Sequence, residues 1–195
     1  FKMTAKHFLD FATHPTWSLR TLKSGAPKMA NYESAKSGGY DRNAPRRGAN
    51  WHYLEQLRDR WKKNLIVKGV MSIDDAIQIR NIGADALYIS NHGGRQMDSA
   101  PSTLKALKTI RSVIGSDYPL ILDGGVRQAE DLAKAMAFGA NFVMMGRPFL
   151  FAAASNPSHG ISAMVKAFSS DFEITLAQLG IEKLEEIGPH CLVES

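Results

Sequence analysis

The sequence predicts an α/β fold that carries the last four βα units of a (βα)8 TIM barrel. Three features support this prediction: four short apolar runs, helical patterns between them, and glycine or charged residues where each run ends. A whole barrel needs about 250 residues, whereas this chain has 195 and shows four units. A doubly wound sheet is disfavoured, because it would carry its glycine-rich turn after the first strand.

The four apolar runs are predicted to be parallel strands buried on both faces, because they lack the polar alternation of half-exposed strands. Helical patterns flank them, over residues 51–61 before the first strand and residues 161–179 after the last. The predicted strands are residues 65–69, 86–90, 120–124 and 142–146.

Two of the connecting helices share one design. Ser72 precedes the first, with Asp75 three residues on, which is typical of a helix N-terminus, and Gly83 stands where a left-handed cap favours glycine. The eight-residue spacing from Asp75 to Gly83 recurs from Asp131 to Gly139. Such self-similarity is typical of repeated βα units.

Residues 1–50 form a predicted basic loop and helical segment, distinct from the barrel unit of residues 51–195. They hold nine basic and three acidic residues, a net charge of +6, while the rest of the chain is close to neutral. Short helices interrupted at Pro15 are expected before a long loop over residues 25–50. Two interpretations stay open: a solvated basic segment, or contact with an anionic membrane surface helped by Phe8, Phe11 and Trp17.

Composition narrows the possible partners and location. Cys191 is the only cysteine, which excludes a disulfide framework and favours a reducing, cytoplasmic compartment. No apolar run approaches the roughly 20 residues that span a bilayer. Nucleic acid is not expected as a partner, because there is no recognisable binding motif and Pro and Gly break the basic stretch. No metal site is predicted.

Two motifs at the ends of the third and fourth strands are predicted to bind phosphate. Glycines allow backbone N–H groups to approach an anion, and arginine adds a fork of donors. In a barrel the phosphate site follows the last two strands, which favours the second half of the barrel. The alternative for each motif is a tight turn with a surface arginine. The residues are Asp123, Gly124, Gly125, Val126 and Arg127 in the first motif, and Gly146 and Arg147 in the second.

The first two strands end in residues suited to proton transfer and anion binding. Lys68 is either a solvated lysine or a fixed positive charge for an electron-rich ring or an oxyanion. His92 can move a proton near neutral pH, and Arg95 can bind a carboxylate through two hydrogen bonds. A histidine beside such an arginine suits deprotonation of a carbon next to a carboxylate.

Four motifs together resemble the FMN-dependent L-2-hydroxy acid dehydrogenase/oxidase family, which includes glycolate oxidase, L-lactate dehydrogenase and mandelate dehydrogenase. They are Leu-Ile-Val-Lys-Gly, Ser-Asn-His-Gly-Gly-Arg-Gln, Asp-Gly-Gly-Val-Arg and Gly-Arg-Pro, within residues 51–179. The resemblance implies FMN as cofactor and a small 2-hydroxy acid, with L-lactate favoured, as substrate. It also implies a homo-oligomer of the complete enzyme and, through residues 15–17, the family's segment after strand four, which in some members binds the inner face of a membrane.

The resemblance implies roles for individual residues. Lys68 and Ser90 contact the flavin, His92 is the catalytic base and also touches the substrate, and Arg95 binds its carboxylate. The cofactor phosphate and ribityl chain fall to Asp123, Gly124, Gly125, Val126, Arg127, Gly146 and Arg147. The family's first four strands have no counterpart among the 195 residues. This polypeptide alone is therefore predicted to be inactive or very weakly active, and activity is predicted to need a companion chain that carries the other half. Another FMN-dependent TIM-barrel enzyme is the alternative.

Overall fold

The computed structural model describes residues 3–25 and 49–193. Contacts divide the chain into two compact units, residues 1–48 and residues 49–195. Residues 26–48, most of the loop predicted over residues 25–50, lie outside the described ranges. We refer to the two units as the N-terminal unit and the barrel unit.

The described part of the N-terminal unit is a pair of short helices. Helix α1 spans Ala5–Thr13 and helix α2 spans Pro15–Ser24, so the predicted interruption at Pro15 is confirmed. Proline lacks an N–H and fits the first turn of a helix, where that donor has no partner. The Ser18 hydroxyl donates to the Phe11 carbonyl at 2.7 Å, and the rings of Phe11 and Trp17 lie 5.3 Å apart, which ties the two helices together.

The barrel unit alternates strands and helices after a leading helix. None of the helices in the described ranges combines the length and hydropathy that a membrane crossing requires. The elements are α3 (Trp51–Arg60), β1 (Ile66–Val70), α4 (Ile73–Ile82), β2 (Ala86–Ile89), α5 (Thr103–Ile114), β3 (Leu120–Leu122), α6 (Ala129–Ala137), β4 (Phe142–Val143), α7 (Arg147–Ser155) and α8 (Gly160–Leu179), with 3-10 turns at His92–Gly94, Leu184–Glu186 and Pro189–Cys191.

The predicted caps of α4 are present. The Ser72 hydroxyl accepts from the Asp75 backbone N–H, and Gly83 adopts the left-handed conformation with φ of 91°. Gly139 follows α6 with φ of 95°, which matches the repeated spacing. Helix α7 was not predicted, because Gly146 and Pro148 were interpreted as a loop motif. Pro148 in fact lies in its first turn, where proline is tolerated.

The four strands form one parallel sheet in the order β1-β2-β3-β4. One face packs on the helices and forms the core, which includes Leu87, Ile89, Leu120 and Leu122 from the strands and Leu107 from α5. Parallel strands in sequence order with helices on one face are the arrangement of consecutive barrel units. Their carboxyl ends therefore meet along one edge of the sheet.

The prediction that all four strands are buried on both faces is wrong for β1 and β4. Ile66 is 47% exposed and Phe142 is 59% exposed, whereas three of the four residues of β2 are buried. Successive strand residues point to opposite faces, and only the helix-facing side is covered by the described residues. We call the other side the inner face; it carries Ile66, Lys68, Tyr88, Ile121 and Phe142. The last four are registered neighbours on successive strands, and Ile66 is registered with Ala86.

Candidate active site at the carboxyl ends of the strands

A charged cluster joins the ends of β1, β2 and β3. The Lys68 ammonium donates to the Ser90 hydroxyl at 3.2 Å and forms an ion pair with the Asp123 carboxylate. Ser90 is 1% exposed. Residues 55 positions apart in the chain are thereby brought together, as the sequence predicted for the strand ends.

The Asp123 carboxylate stays ionised because of this cluster. Burial opposes its ionisation, but the hydrogen bond from Lys68, the nearby hydroxyls of Ser90 and Tyr88, and the Lys68 charge outweigh that cost and lower its pKa. Its Oδ1 atom is buried, yet neither hydroxyl completes a hydrogen bond to it with acceptable geometry. Asp123 therefore keeps an unused capacity to accept a hydrogen bond.

Tyr88 belongs to this cluster, although the sequence analysis did not select it. The Lys68 ammonium lies 3.6 Å from the centre of the Tyr88 ring, within the range of a cation–π contact. Burial and the adjoining Asp123 carboxylate raise the pKa of the phenol, so it remains neutral at physiological pH. A signal was available: Tyr88 lies two residues before Ser90, and hence on the same face of the extended chain.

The loop after β2 holds His92 in an unusual backbone conformation. His92, Gly93 and Gly94 have φ values of 56°, 65° and 75°, and His92 is the one non-glycine residue with positive φ among the described residues. Such a conformation costs a side-chain-bearing residue roughly 1–2 kcal/mol. The two glycines adopt it readily, which explains their place beside the histidine.

The imidazole of His92 lies against β1. A Cβ atom at Gly69 would lie 3.3 Å from His92 Cε1, so glycine makes room for the ring. The pairing of β1 with β2 shifts register between Lys68 and Val70, which leaves Gly69 at a β-bulge. Bulges redirect neighbouring side chains. This bulge is at the residue that the imidazole contacts, and it directly follows Lys68.

Two further residues support the loops at the strand ends, Asn91 after β2 and Thr103 at the loop after β3, and were not assigned a role from the sequence. The Asn91 side chain accepts from the Gly93 N–H at 3.0 Å and donates to the Pro101 carbonyl at 3.2 Å. The buried Thr103 hydroxyl donates to the Gly124 carbonyl at 2.9 Å. Asparagine commonly bonds to backbone two residues on, so the Asn91-x-Gly93 spacing was the signal for this turn.

The glycines of the two predicted phosphate motifs border open space. A Cβ atom at Gly125 or Gly146 would meet no heavy atom within 4 Å, and the side chains of Arg127 and Arg147 are exposed. Gly146 precedes the first turn of α7, where backbone N–H groups have no partner within the helix. Together they provide an open cradle that favours an anion.

The two backbone N–H groups directly before α6 already have partners and are not free donors for this cradle. The Asp131 carboxylate accepts from the backbone N–H groups of Arg127 and Gln128 at 2.9 and 3.2 Å. The Val126 side chain packs in the core, which leaves only its backbone for a ligand. Gly124 is crowded by Asn91 and Thr103, whereas Gly125 is open. The anion-binding capacity is therefore concentrated at Gly125 and at the start of α7.

Arg147 lies between the cradle and the His92 loop. One guanidinium nitrogen donates to the Gly93 carbonyl at 3.4 Å. Arg95 is exposed three residues beyond His92, and no described residue forms an ion pair with it. No cluster of metal-binding side chains occurs within residues 3–25 and 49–193.

The fold and the site together define a class of protein: part of a barrel with a cationic site that carries a histidine at its strand ends. Residues 1–194 match the model of the FMN-dependent dehydrogenase family. The chain is 35% identical to (S)-mandelate dehydrogenase of Pseudomonas putida over 97% of its length and 49% of that protein. It is 33% identical to an L-lactate dehydrogenase of Bartonella tribocorum over 97% of its length and 52% of that protein.

Solved structures support the same assignment. A crystal structure described as a monotopic membrane protein, (S)-mandelate dehydrogenase, superimposes with a TM-score of 0.88 at 33% identity. It covers all of this chain, which in turn covers 53% of it. The chain therefore belongs to the FMN-dependent dehydrogenase family, and its four βα units are part of a (βα)8 barrel. It spans about half the length of the relatives it matches.

The described residues fit FMN, the cofactor of this family. The open space at Gly125 and Gly146, with two exposed arginines beside it, suits a phosphate group. The unpartnered Oδ1 of Asp123 suits a hydroxyl donor of a sugar-like chain. The Lys68 ammonium supplies a positive charge next to the Asp123 carboxylate.

Proposed function

We propose that the chain contributes the catalytic half of an enzyme that oxidises a small L-2-hydroxy acid, with L-lactate favoured, to the 2-oxo acid. The observation that carries this proposal is the loop after β2, where the strained His92 backbone and the exposed Arg95 lie three residues apart. Backbone strain of this kind persists where the surrounding structure enforces it, commonly at active sites.

The chain's own residues divide the work. The Arg95 guanidinium binds the substrate carboxylate, which orients the carbon that carries the hydroxyl group. The His92 imidazole accepts a proton from the substrate, and Gly69 and Asn91 hold the ring and its loop in place. FMN, when bound, accepts the two electrons released by the oxidation.

Cofactor binding falls to the remaining strand ends. Lys68 and Ser90 contact the flavin, and Asp123 accepts hydrogen bonds from the ribityl hydroxyls. The phosphate is held by Gly125 and Arg127 after β3 and by Gly146 and Arg147 at the start of α7; Gly124 and Val126 contribute through their backbone. Support comes from the open cradle and from the ion pair that fixes Lys68.

The substrate proposal rests on the relatives' names and on the site chemistry. Those relatives include L-lactate dehydrogenases, a mandelate dehydrogenase and a 2-hydroxyacid oxidase. All three names denote 2-hydroxy acids, and an arginine beside a histidine suits that class. We favour L-lactate within it, and a homo-oligomer for the complete enzyme.

The test is anaerobic bleaching of the flavin by substrate. The chain, together with the other barrel strands, is expected to bind FMN and to lose visible flavin absorbance with L-lactate but not D-lactate. His92→Gln should bind FMN and bleach about 10²–10⁴-fold more slowly, whereas His52→Gln, on the exposed surface of α3, should match the wild type. Equal rates for both variants would reject His92 as the base.

A second proposal concerns the N-terminal unit, which we assign to peripheral membrane contact after barrel strand four. Its described helices expose Phe8, Leu9, Trp17, Leu19 and Leu22. Exposed aromatic and leucine side chains on a basic segment favour an anionic lipid surface. A similar protein is described as a monotopic membrane protein.

Vesicle co-sedimentation tests this second proposal. The double variant Trp17→Ser, Leu22→Ser should pellet less with anionic vesicles, because it loses apolar area that enters the interface. Val113→Ser, an exposed valine on α5 of the barrel unit, is the matched control and should pellet as the wild type does. Unchanged pelleting of the double variant would count against membrane contact through these helices.

A further inference from the structure

Tyr88 is an unusual residue for its position in the sheet. Its registered neighbours on the inner face are Lys68 of β1 and Ile121 of β3, and the face also carries the apolar Ile66 and Phe142. An aliphatic side chain would be sufficient to fill such a position. A half-buried tyrosine brings a polar hydroxyl and a π face, and both are directed at the charged cluster.

The ammonium of Lys68 needs several partners to stay in one place. Its side chain is 42% exposed, so water competes for it, and the four-carbon stem has many rotamers. Three groups converge on the Nζ atom: the Asp123 carboxylate, the Ser90 hydroxyl at 3.2 Å and the Tyr88 ring at 3.6 Å. Of these three groups, only the ring belongs to the residue that is registered directly opposite Lys68 on the neighbouring strand.

We propose that Tyr88 is a positioning residue that fixes the Lys68 ammonium at the strand ends through the face of its ring. The ring holds the cation through its π face and adds no opposing charge to the ion pair that Lys68 forms with Asp123. Because burial and the Asp123 carboxylate raise the pKa of the phenol, Tyr88 stays protonated and adds no charge to the Lys68–Asp123 pair. As a consequence for the proposed function, on which this step rests, the Lys68 ammonium is held in one position beside the flavin.

Chemical labelling of Lys68 tests the contact without any cofactor. The chain is acetylated briefly with acetic anhydride at a concentration at which it is monomeric, and modification of Lys68 is compared by mass spectrometry with that of the exposed Lys105. In Tyr88→Leu, Lys68 should react about three- to fivefold faster than in the wild type, as expected for loss of a partly exposed cation–π contact. In Tyr88→Phe, which keeps the ring, Lys68 should react at the wild-type rate.

A matched control separates the contact from general disturbance of the sheet. Ile121→Val alters the neighbouring inner-face position on β3 and should leave Lys68 labelling unchanged. Thermal melting of all variants verifies that each is folded. Fast labelling in Tyr88→Phe as well as in Tyr88→Leu would show that the hydroxyl, not the ring, does the holding and would overturn the proposal. No change in either variant would overturn it too.

A second readout concerns bound FMN in the complete barrel. Tyr88→Leu should lower the preference for reduced over oxidised FMN by a similar factor, and Tyr88→Phe should restore it. A tenfold loss would correspond to about 30 mV in the two-electron midpoint potential. If the wild type binds no FMN, the proposed function fails, whereas the labelling experiment still decides the role of Tyr88. Labelling as expected with an unchanged potential would overturn the effect on the flavin.

Discussion

Single residues set the geometry of the His92 loop through their backbone. Gly93 has φ of 65°, so Gly93→Ala is expected to cost about 1–2 kcal/mol of stability. A Cβ atom there would meet Arg147 at 3.5 Å, an ordinary contact, which leaves backbone strain as the cause. Urea unfolding measures this loss, and an unchanged midpoint would show that the turn can relax without cost.

Gly146→Ala is expected to have the opposite effect to Gly93→Ala: it should change cofactor binding and not stability. Gly146 has φ of −107°, which alanine can adopt, and the added methyl group meets no heavy atom within 4 Å. Stability should be unchanged or slightly higher. If the cradle holds the FMN phosphate, the methyl group should weaken FMN binding about tenfold or more, which is about 1.4 kcal/mol. Fluorescence titration of FMN measures this, and undiminished affinity would place the phosphate elsewhere.

Asp123 gives the cluster a defined response to acid. Because its pKa is lowered in the folded state, the stabilisation is present above the unfolded value of 3.8 and is lost as pH falls through the lower folded value. Thermal melts between pH 6 and pH 2 should therefore show a steeper acid loss for the wild type than for Asp123→Asn. Parallel acid limbs in the two proteins would contradict the assigned ion pair.

The sequence predicted the charged and polar residues at the strand ends. It missed residues whose role depends on where the fold places them. Lys68, Ser90 and Asp123 were selected from motifs and lie together in the structure. Tyr88 was missed because an aromatic residue in an apolar run is ordinarily packed in a core. Asn91 was passed over because its role depends on a turn that is defined only by backbone angles.

At the scale of elements, Arg111 joins the start of β3 and β4 to the end of α5. Its guanidinium donates to the carbonyls of Tyr118 and Gly139 and to the Asn141 side chain at 2.8, 3.0 and 2.7 Å. The planar fork cannot be reproduced by lysine. Arg111→Lys should therefore cost about 2–3 kcal/mol, since several acceptors, among them two partly buried carbonyls, lose a charged donor.

The control for Arg111→Lys is the same substitution at Arg80, an arginine that donates a single hydrogen bond. Arg80 donates one hydrogen bond, to the Ile114 carbonyl at 3.3 Å. Arg80→Lys should lower the stability by about 0.5 kcal/mol or less. Denaturant melts of both variants give the comparison, and equal losses would mean that the fork of Arg111 contributes no more than a surface charge.

Strand positions followed from the sequence, but strand lengths and one helix did not. The runs that begin near residues 66, 86, 120 and 142 all form strands. β3 and β4 are shorter than predicted. After β3, Gly124 and Gly125 adopt φ values of 94° and 88° and turn the chain out of the sheet. A short apolar run does not indicate the residue at which such a turn begins. The start of α7 was missed because Pro148, in its first turn, was interpreted as part of a loop.

At the scale of the whole molecule, the inner face of the sheet determines how a polypeptide of these 195 residues behaves by itself. Ile66 and Phe142 are large, apolar and about half exposed, and they lie on strands that have one paired neighbour each in the described sheet. Exposed apolar patches and unpaired strand edges favour association. The isolated polypeptide is expected to self-associate and to bind an apolar fluorescent dye.

Phe142→Ser tests this expectation at its largest exposed inner-face side chain. Dye fluorescence should fall in this variant, whereas Val113→Ser, which removes an exposed valine from α5, should leave it unchanged. A polypeptide that supplies the other four strands should lower the signal of the wild type, because it covers the inner face and both edges. A monomeric wild type that binds no dye would show that the inner face is already covered, and the half barrel would then have no need of a companion to bury it.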